Sequence, residues 1–227
     1  MDAEVKPKGK SEKQAALEEI AREVSGCKNC TLHQTRKKSV PGTGHVDADI
    51  MLIGEGPGFH ENEQGLPFVG AAGKLLDELL SGIGLKRADV FITNVVKCRP
   101  PGNRDPEPQE LIACNAYLDH QIQIINPKII VTLGRFSMAK FMPNVKITQV
   151  HGQARWVDNR LIVAMYHPAA ALHQGSLKPA LEQDFKKLPG LIDSASQRSE
   201  KSRPEQTNPK PKDDEQPPAK PQQLTLF

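Results

Sequence analysis

Cysteine is scarce in this chain, with four among 227 residues. Cys27 and Cys30 form a Cys-x-x-Cys pair, and Cys98 and Cys114 stand far from it. A disulfide framework suits shorter, secreted chains. Two close thiols plus two remote ones is how a protein wraps a metal or an iron–sulfur cluster. Long apolar runs are missing as well. None approaches the length of a membrane span, and the opening Met-Asp-Ala-Glu-Val-Lys has no apolar stretch of a secretion signal. Charge of one sign does not dominate: a formal net charge of +3 is a weak pointer towards a polyanionic partner and no more. There are no internal repeats. These absences lead to the expectation of a reducing, cytoplasmic setting, in which free thiolates hold metal. A hydrophobic content of 37% over this length matches one well-packed domain.

Residues up to Lys10 are charged and expected to be loose. Ser11 and Gln14 have the spacing of a capping box, and Ala15, Leu17, Ile20, Ala21 and Val24 follow with helical periodicity up to Gly26. A first helix therefore delivers the chain to Cys27. Four short apolar, β-rich runs come next, at 49–53, 90–96, 128–133 and 161–165. Helical patterns separate them at 71–81, 107–125 and 136–141, and a last one runs from Lys178 to about Leu188. Near-continuous apolar strands alternating with helices indicate an α/β fold: a three-layer α/β/α sandwich around a central four-stranded parallel sheet. Ligands of such sheets gather at the carboxyl ends of the strands. Those ends carry Gly54-Glu-Gly-Pro-Gly58, the segment from Asn94 to Pro101, Gly134-Arg135 and His167-Pro168, so all four are expected on one rim. From Ser194 to Pro221 the chain is Ser, Lys, Glu, Gln and Pro, too polar to bury the surface that ordering requires. The expected organisation is a flexible 1–13, a domain over 14–192, a disordered linker over 193–221 and a terminal peptide, 222–227.

The segment from Gly54 to Gly70 leaves a strand and enters a helix. As a dinucleotide loop it is weak, because that fingerprint needs a helix starting at once on the glycines, and here an acidic loop and Pro67 intervene. It suits a loop whose backbone approaches a flat ligand, with Phe68 free to stack. Asn94 ends the second strand. A lone Asn there is often a turn residue, yet its amide offers a donor and an acceptor side by side, matching the N3–H and O4 edge of uracil and rejecting cytosine. His167 precedes Pro168 at the fourth strand end, where a neutral imidazole N–H is able to bond a developing oxyanion. A structural His-Pro turn is the alternative.

The combination GEGPG…E…GLPFVG, ITNVVKCRPPGNRDP and YHPAAALH, with the cysteines interleaved, resembles the family-4 uracil-DNA glycosylases, the iron–sulfur members of their superfamily, over roughly Gly26 to Leu188. The resemblance implies a monofunctional enzyme of base excision repair that flips uracil out of DNA and hydrolyses its N-glycosidic bond. It implies that Cys27, Cys30, Cys98 and Cys114 hold a four-iron four-sulfur cluster, with a four-cysteine zinc site as the competitor. Phe68 takes the place of the stacking aromatic, Asn94 of the base-reading amide, and His167 of the donor to uracil O2. Glu61 falls beside the base, where it would crowd the C5 edge against thymine. Gly56, counted with the substrate-binding residues, stands where better-known relatives of the superfamily place an Asp, leaving backbone groups, together with Glu55 or Glu61, as candidates to position water. Leu172 is the expected wedge in the emptied stack, and Ala169 replaces a serine common in that motif. Arg99, Arg104, Arg135 and Arg155 are candidates to hold the DNA backbone. The motifs are expected to bring no lysine to the base, so no Schiff-base lyase step follows.

Gln223-Leu224-Thr225-Leu226-Phe227 resembles the peptide by which bacterial repair and replication proteins dock on the sliding clamp. It would act as a tethered anchor beyond a polar linker. A monomer acting on uracil-containing DNA in the nucleoid, with no membrane attachment, completes the expectation. A non-catalytic nucleic-acid-binding relative, or a nucleotide-binding α/β module with structural zinc, are the alternatives.

Overall fold

The apolar runs form the middle of one sheet in the computed structural model, which describes residues 11–201. β2 (Ile50–Gly54) and β4 (Ile129–Leu133) are buried along their whole length, as are β3 (Phe91–Asn94) and, from Leu161 onward, β6 (Arg160–Met165). These four run parallel in the order β3-β2-β4-β6. Both faces are covered, which explains why the strands read as unbroken Val, Ile and Leu.

The sheet has six strands, two more than expected. β1 (Thr43–Gly44) pairs antiparallel with β3, and β5 (Ala154–Val157) with β6. β1 is too short to carry a pattern, and β5 is only partly buried. Its hairpin turn, however, is Asp158-Asn159, with φ of 46° and 62°, the backbone that a two-residue hairpin needs. The α/β class stands, with antiparallel edges added to the four-stranded parallel core.

Successive strand residues point to opposite faces. Ile50, Leu52, Ile129, Val131, Leu161 and Val163 pack against α3 (Ala71–Ser81), α7 (Pro168–His173), α8 (Lys178–Lys186) and α9 (Leu188–Lys201). Met51, Ile53, Ile130 and Ile162 pack against α1 (Glu12–Gly26), α4 (Pro108–Ile125), α5 (Arg135–Phe141) and α6 (Ile147–Val150). A short α2 (Phe59–Gln64) occupies the acidic stretch expected to be loop.

Ser11 caps α1 by accepting the N–H of Gln14 at 3.2 Å. The reciprocal half of the box is absent, since the Gln14 amide goes to Glu18 at 3.1 Å. α9 runs past Ser194, where composition set the linker, because Leu188, Leu191, Ile192 and Ala195 fall on one helical face against the core. Among the described residues no helix is long and apolar enough to cross a membrane. Residues 1–10 and the terminal peptide 222–227 lie outside the described residues.

Candidate active site

The chain passes from β2 to β3 on one side, then returns to β4 on the other. A crevice opens at such a switch point, outside the strand ends. Here it is a cavity of about 560 Å³, lined by Glu55 and Gly56 after β2, Asn94 at the end of β3, Gly134 and Arg135 after β4, and His167 after β6. Phe68 and Glu61 close one wall. The four strand ends thus meet as expected.

Asn94 is 1% exposed, and its Oδ1 is buried without a hydrogen-bond partner. The sequence makes room for it at Gly54, its neighbour in register. A Cβ on Gly54 would lie 2.4 Å from Asn94 Oδ1 and 2.7 Å from Phe68 Cζ. The backbone of Asn94 is pinned by Lys97, whose Nζ donates to Asn94 O at 2.8 Å, to Thr93 Oγ1 at 2.6 Å and to Gln121 Oε1 at 2.8 Å. Lys97 falls inside the second motif, yet it is turned into the protein and does not line the cavity. Burial pulls its pKa down to about 7. Its amine is committed beneath the site and is not placed to attack the sugar.

Phe68 has φ of 53° while 5% exposed. Left-handed backbone is strained for a bulky residue and persists only where its surroundings over-determine it. Glu61 Oε1 accepts the N–H groups of Val69 at 2.8 Å and Gly70 at 2.9 Å, and Oε2 accepts that of Gly58 at 3.1 Å. Arg87 donates to Pro67 O at 2.9 Å and Phe68 O at 2.6 Å. A Cβ on Gly73 would sit 1.8 Å from Phe68 O, so α3 abuts the same peptide. The Glu61 carboxylate is therefore occupied by the loop it shapes, rather than free to face a base at C5. Arg87 was no sequence candidate. It sits in a 3₁₀ turn, Arg87–Asp89, with nothing local to mark it.

His167 Nδ1 accepts the N–H of Ala169 at 3.1 Å, so the ring proton of the neutral form resides on Nε2. Burial holds its pKa down at about 4. The ring lies stacked near Phe68, 5.5 Å between centroids at 22°. Tyr166 and His173 also line the cavity. Leu172, on α7, is 48% exposed.

Burial raises the pKa of Glu55, whose Oε1 accepts the Phe136 N–H of α5 at 3.3 Å. Gly134, at φ +100°, lets that carboxylate close in, since a Cβ there would stand 2.4 Å from Oε1. At Gly56 a Cβ would meet Val96 Cγ2 at 2.8 Å, so a larger residue does not fit without moving Val96. The four arginines separate. Arg104 is bound bidentately to buried Glu110 at 2.7 and 2.9 Å. Arg135 pairs with Asp105 at the rim, Arg99 lies over the ring of Phe59, and Arg155 is on the edge strand β5, away from the cavity lining.

Cys27, Cys30, Cys98 and Cys114 line a second, small cavity between α1, the segment after β3, and α4. Arg36 donates to Cys98 Sγ and the Lys97 N–H to Cys114 Sγ, each at 3.3 Å. A hydrogen bond with Cys27 pushes the Tyr117 hydroxyl upward in pKa. Burial raises the thiols of Cys30 and Cys98, and that of Cys114 to about 11. Buried thiols with N–H donors on their sulfurs are a donor set that fits a thiolate-bound centre, whose positive charge would offset that burial. Among the described residues no group of three or more His, Cys, Asp or Glu is drawn together as a site for a single metal ion.

Comparison with known proteins agrees with this geometry. A profile of the Uracil DNA glycosylase superfamily matches residues 41–188. A type-4 uracil-DNA glycosylase of Sulfurisphaera tokodaii is 53% identical over 183 residues, covering 76% of this chain and 83% of the relative. One from Archaeoglobus fulgidus is 48% identical over 76% of this chain and 92% of its own length. One from Thermotoga maritima is 42% identical over 78% and 94%. The matched family model spans the sheet and the strand-end cavity, and the chain belongs to the type-4 uracil-DNA glycosylases.

Proposed function

We infer that the chain removes uracil from DNA by stabilising the departing base. The observation that carries this reading is the buried, unpartnered Asn94 Oδ1 in the strand-end cavity. An orphaned buried acceptor costs about 1–3 kcal/mol, and the N3–H of an extruded uracil would relieve it, with the amide N–H left for O4. Phe68 stacks the base. His167 Nε2–H donates to O2, where negative charge grows as the C1′–N1 bond breaks and its electron pair passes to the base. Water adds at C1′ and its proton goes on to neutralise the uracil anion, giving an abasic site and free uracil. Glu55, which lines the cavity while accepting N–H groups at the start of α5, orients that water; Glu61 holds Phe68.

The test is a uracil-containing oligonucleotide incubated with protein and then treated with alkali. Cleavage only at uracil is expected, and an intact strand would overturn the reading. Cleavage before alkali would reveal a lyase step, for which no described residue lining the cavity supplies an amine.

Cys27, Cys30, Cys98 and Cys114 would hold a four-iron four-sulfur cluster in preference to zinc. It would tie α1 and the segment 99–105 to the sheet. The thiol donors and the N–H groups on their sulfurs support a thiolate centre, and an anaerobic preparation containing zinc and no iron would decide against the cluster. Gln223 to Phe227 would dock on a sliding clamp, keeping a monomeric, cytoplasmic enzyme near the nucleoid. Deleting these five residues should abolish clamp binding and spare excision; retained binding would reject the anchor.

A further inference from the structure

Among the described residues, two exposed large apolar side chains, Leu172 and Phe59, stand next in the chain to residues that line the cavity, and of the two Leu172 has a role so far. The other is Phe59, 53% exposed at the first position of α2. The two rise from different walls: Leu172 follows β6, whereas Phe59 follows β2. Exposing an aromatic ring to water is unfavourable, and this one is not collapsed onto the core. The Arg99 guanidinium carbon stands 5.3 Å from its centroid, and His60 meets it edge-on at 5.5 Å and 82°. Arg99 is itself steadied by Asn103 Oδ1, which accepts its Nε–H at 2.8 Å. The surface is continuous with the uracil cavity: Pro57 and Gly58, just before Phe59, and Pro100 and Asn103, just after and beneath Arg99, all line it.

We propose that Phe59 and Arg99 form a stacking subsite for a nucleobase adjacent to the extruded uracil. An aromatic face accepts any base without reading its edge, and a guanidinium above it adds cation–π attraction and a positive charge near the phosphates. A uracil turned into the cavity leaves its neighbour unstacked on one side, and that lost stacking is what Phe59 replaces. Leu172 and Phe59 then grip the strand from the two walls of one opening. This inference rests on the uracil-excision reading, since it requires the cavity to hold the flipped base.

The test compares wild type, Phe59→Ala and Phe59→Trp in binding an oligonucleotide whose single uridine carries a 2′-fluoro group that blocks hydrolysis. 2-Aminopurine is placed immediately 5′ or 3′ of the uridine. Losing one base-stacking aromatic weakens single-strand binding, so Phe59→Ala should weaken oligonucleotide binding about tenfold. It should leave the affinity for free uracil and the single-turnover rate at saturating enzyme unchanged. In one of the two placements, 2-aminopurine fluorescence should be quenched by wild type and Phe59→Trp but not by Phe59→Ala, and an abasic spacer at that position should erase the difference between variants. Equal oligonucleotide affinity for wild type and Phe59→Ala, or an equal loss of free-uracil binding, would overturn the subsite. Failure of wild type to bind free uracil at all would strike the excision reading instead, and the two outcomes are distinct.

Discussion

The backbone N–H of Ala169 donates to Nδ1 of His167 at 3.1 Å, and that single bond decides which ring nitrogen carries the proton of the neutral ring. With Nδ1 occupied as an acceptor, a neutral imidazole carries its proton on Nε2, the donor that the proposed mechanism sets on uracil O2. A protonated ring would set two donors against each other at Nδ1. Burial and this bond therefore act in the same direction, keeping the ring neutral.

His167→Ala is expected to lower kcat about 10²–10³-fold with little change in KM, as for the loss of one oxyanion donor. Glu55→Ala should cost less, since the proposed mechanism has it position water while His167 meets the developing charge. Single-turnover rates measure both, and the reverse order would overturn leaving-group stabilisation as the main effect. His167 also shapes stability. Its folded pKa of about 4 lies below the ordinary 6.5, so the unfolded chain takes up the proton first as pH falls. The contribution is complete above pH 6.5 and lost between 6.5 and about 4, by up to about 3 kcal/mol. Urea unfolding of wild type and His167→Gln across that window should show the dependence only in wild type.

Asn94→Asp exchanges the amide donor for a second acceptor. Uracil O4 would then face a carboxylate, whereas the N4 amine of cytosine would find a partner. Uracil excision should fall at least about 10²-fold, in keeping with a site left with a mispaired buried group, and slow release of cytosine should become measurable by chromatography of freed bases. Unchanged uracil excision would remove Asn94 from base reading.

The strained turn at Phe68 is held from both sides, by Glu61 on the amides that follow it and Arg87 on the carbonyls. Arg87→Met leaves two carbonyls without that donor and should destabilise the fold by about 1–3 kcal/mol. KM for uracil-containing DNA should rise as the ring loses its fixed position. Glu61→Ala should act similarly and should still reject thymine, because the carboxylate is spent on Gly58, Val69 and Gly70. Thymine release by that variant would return Glu61 to the C5 edge.

Cys114→Ser should remove metal and lower the melting temperature. Iron and zinc content, absorbance near the blue edge and thermal unfolding report it without any reference to activity. Retention of a full complement of metal with an unchanged melting temperature would place the centre elsewhere.

Much of this was legible beforehand for a physical reason. The four parallel strands announce themselves because both of their faces are buried, and the residues at their carboxyl ends, Glu55, Asn94, Gly134 and His167, follow directly from the chain leaving each strand. The edge strands β1 and β5 escaped because one is too short, and the other too exposed, for apolar periodicity. The end of α9 escaped because a polar composition hides the one face, Leu188 to Ala195, that packs on the core. Arg87 escaped because its partners are carbonyls some twenty residues earlier, and side-chain-to-backbone bonds leave no pattern.

By itself, then, the amino-acid order determined the four parallel strands, the set of groups on their rim and the four thiols, since local periodicity and residue chemistry are properties of short windows. Only the tertiary structure decided which groups are free to act. It turned Lys97 inward, spent Glu61 on three amides and Arg104 on Glu110, and left Asn94 Oδ1 without a partner. Hydrogen-bond partners in a packed interior are settled by which distant segments meet, and each group has few bonds to give.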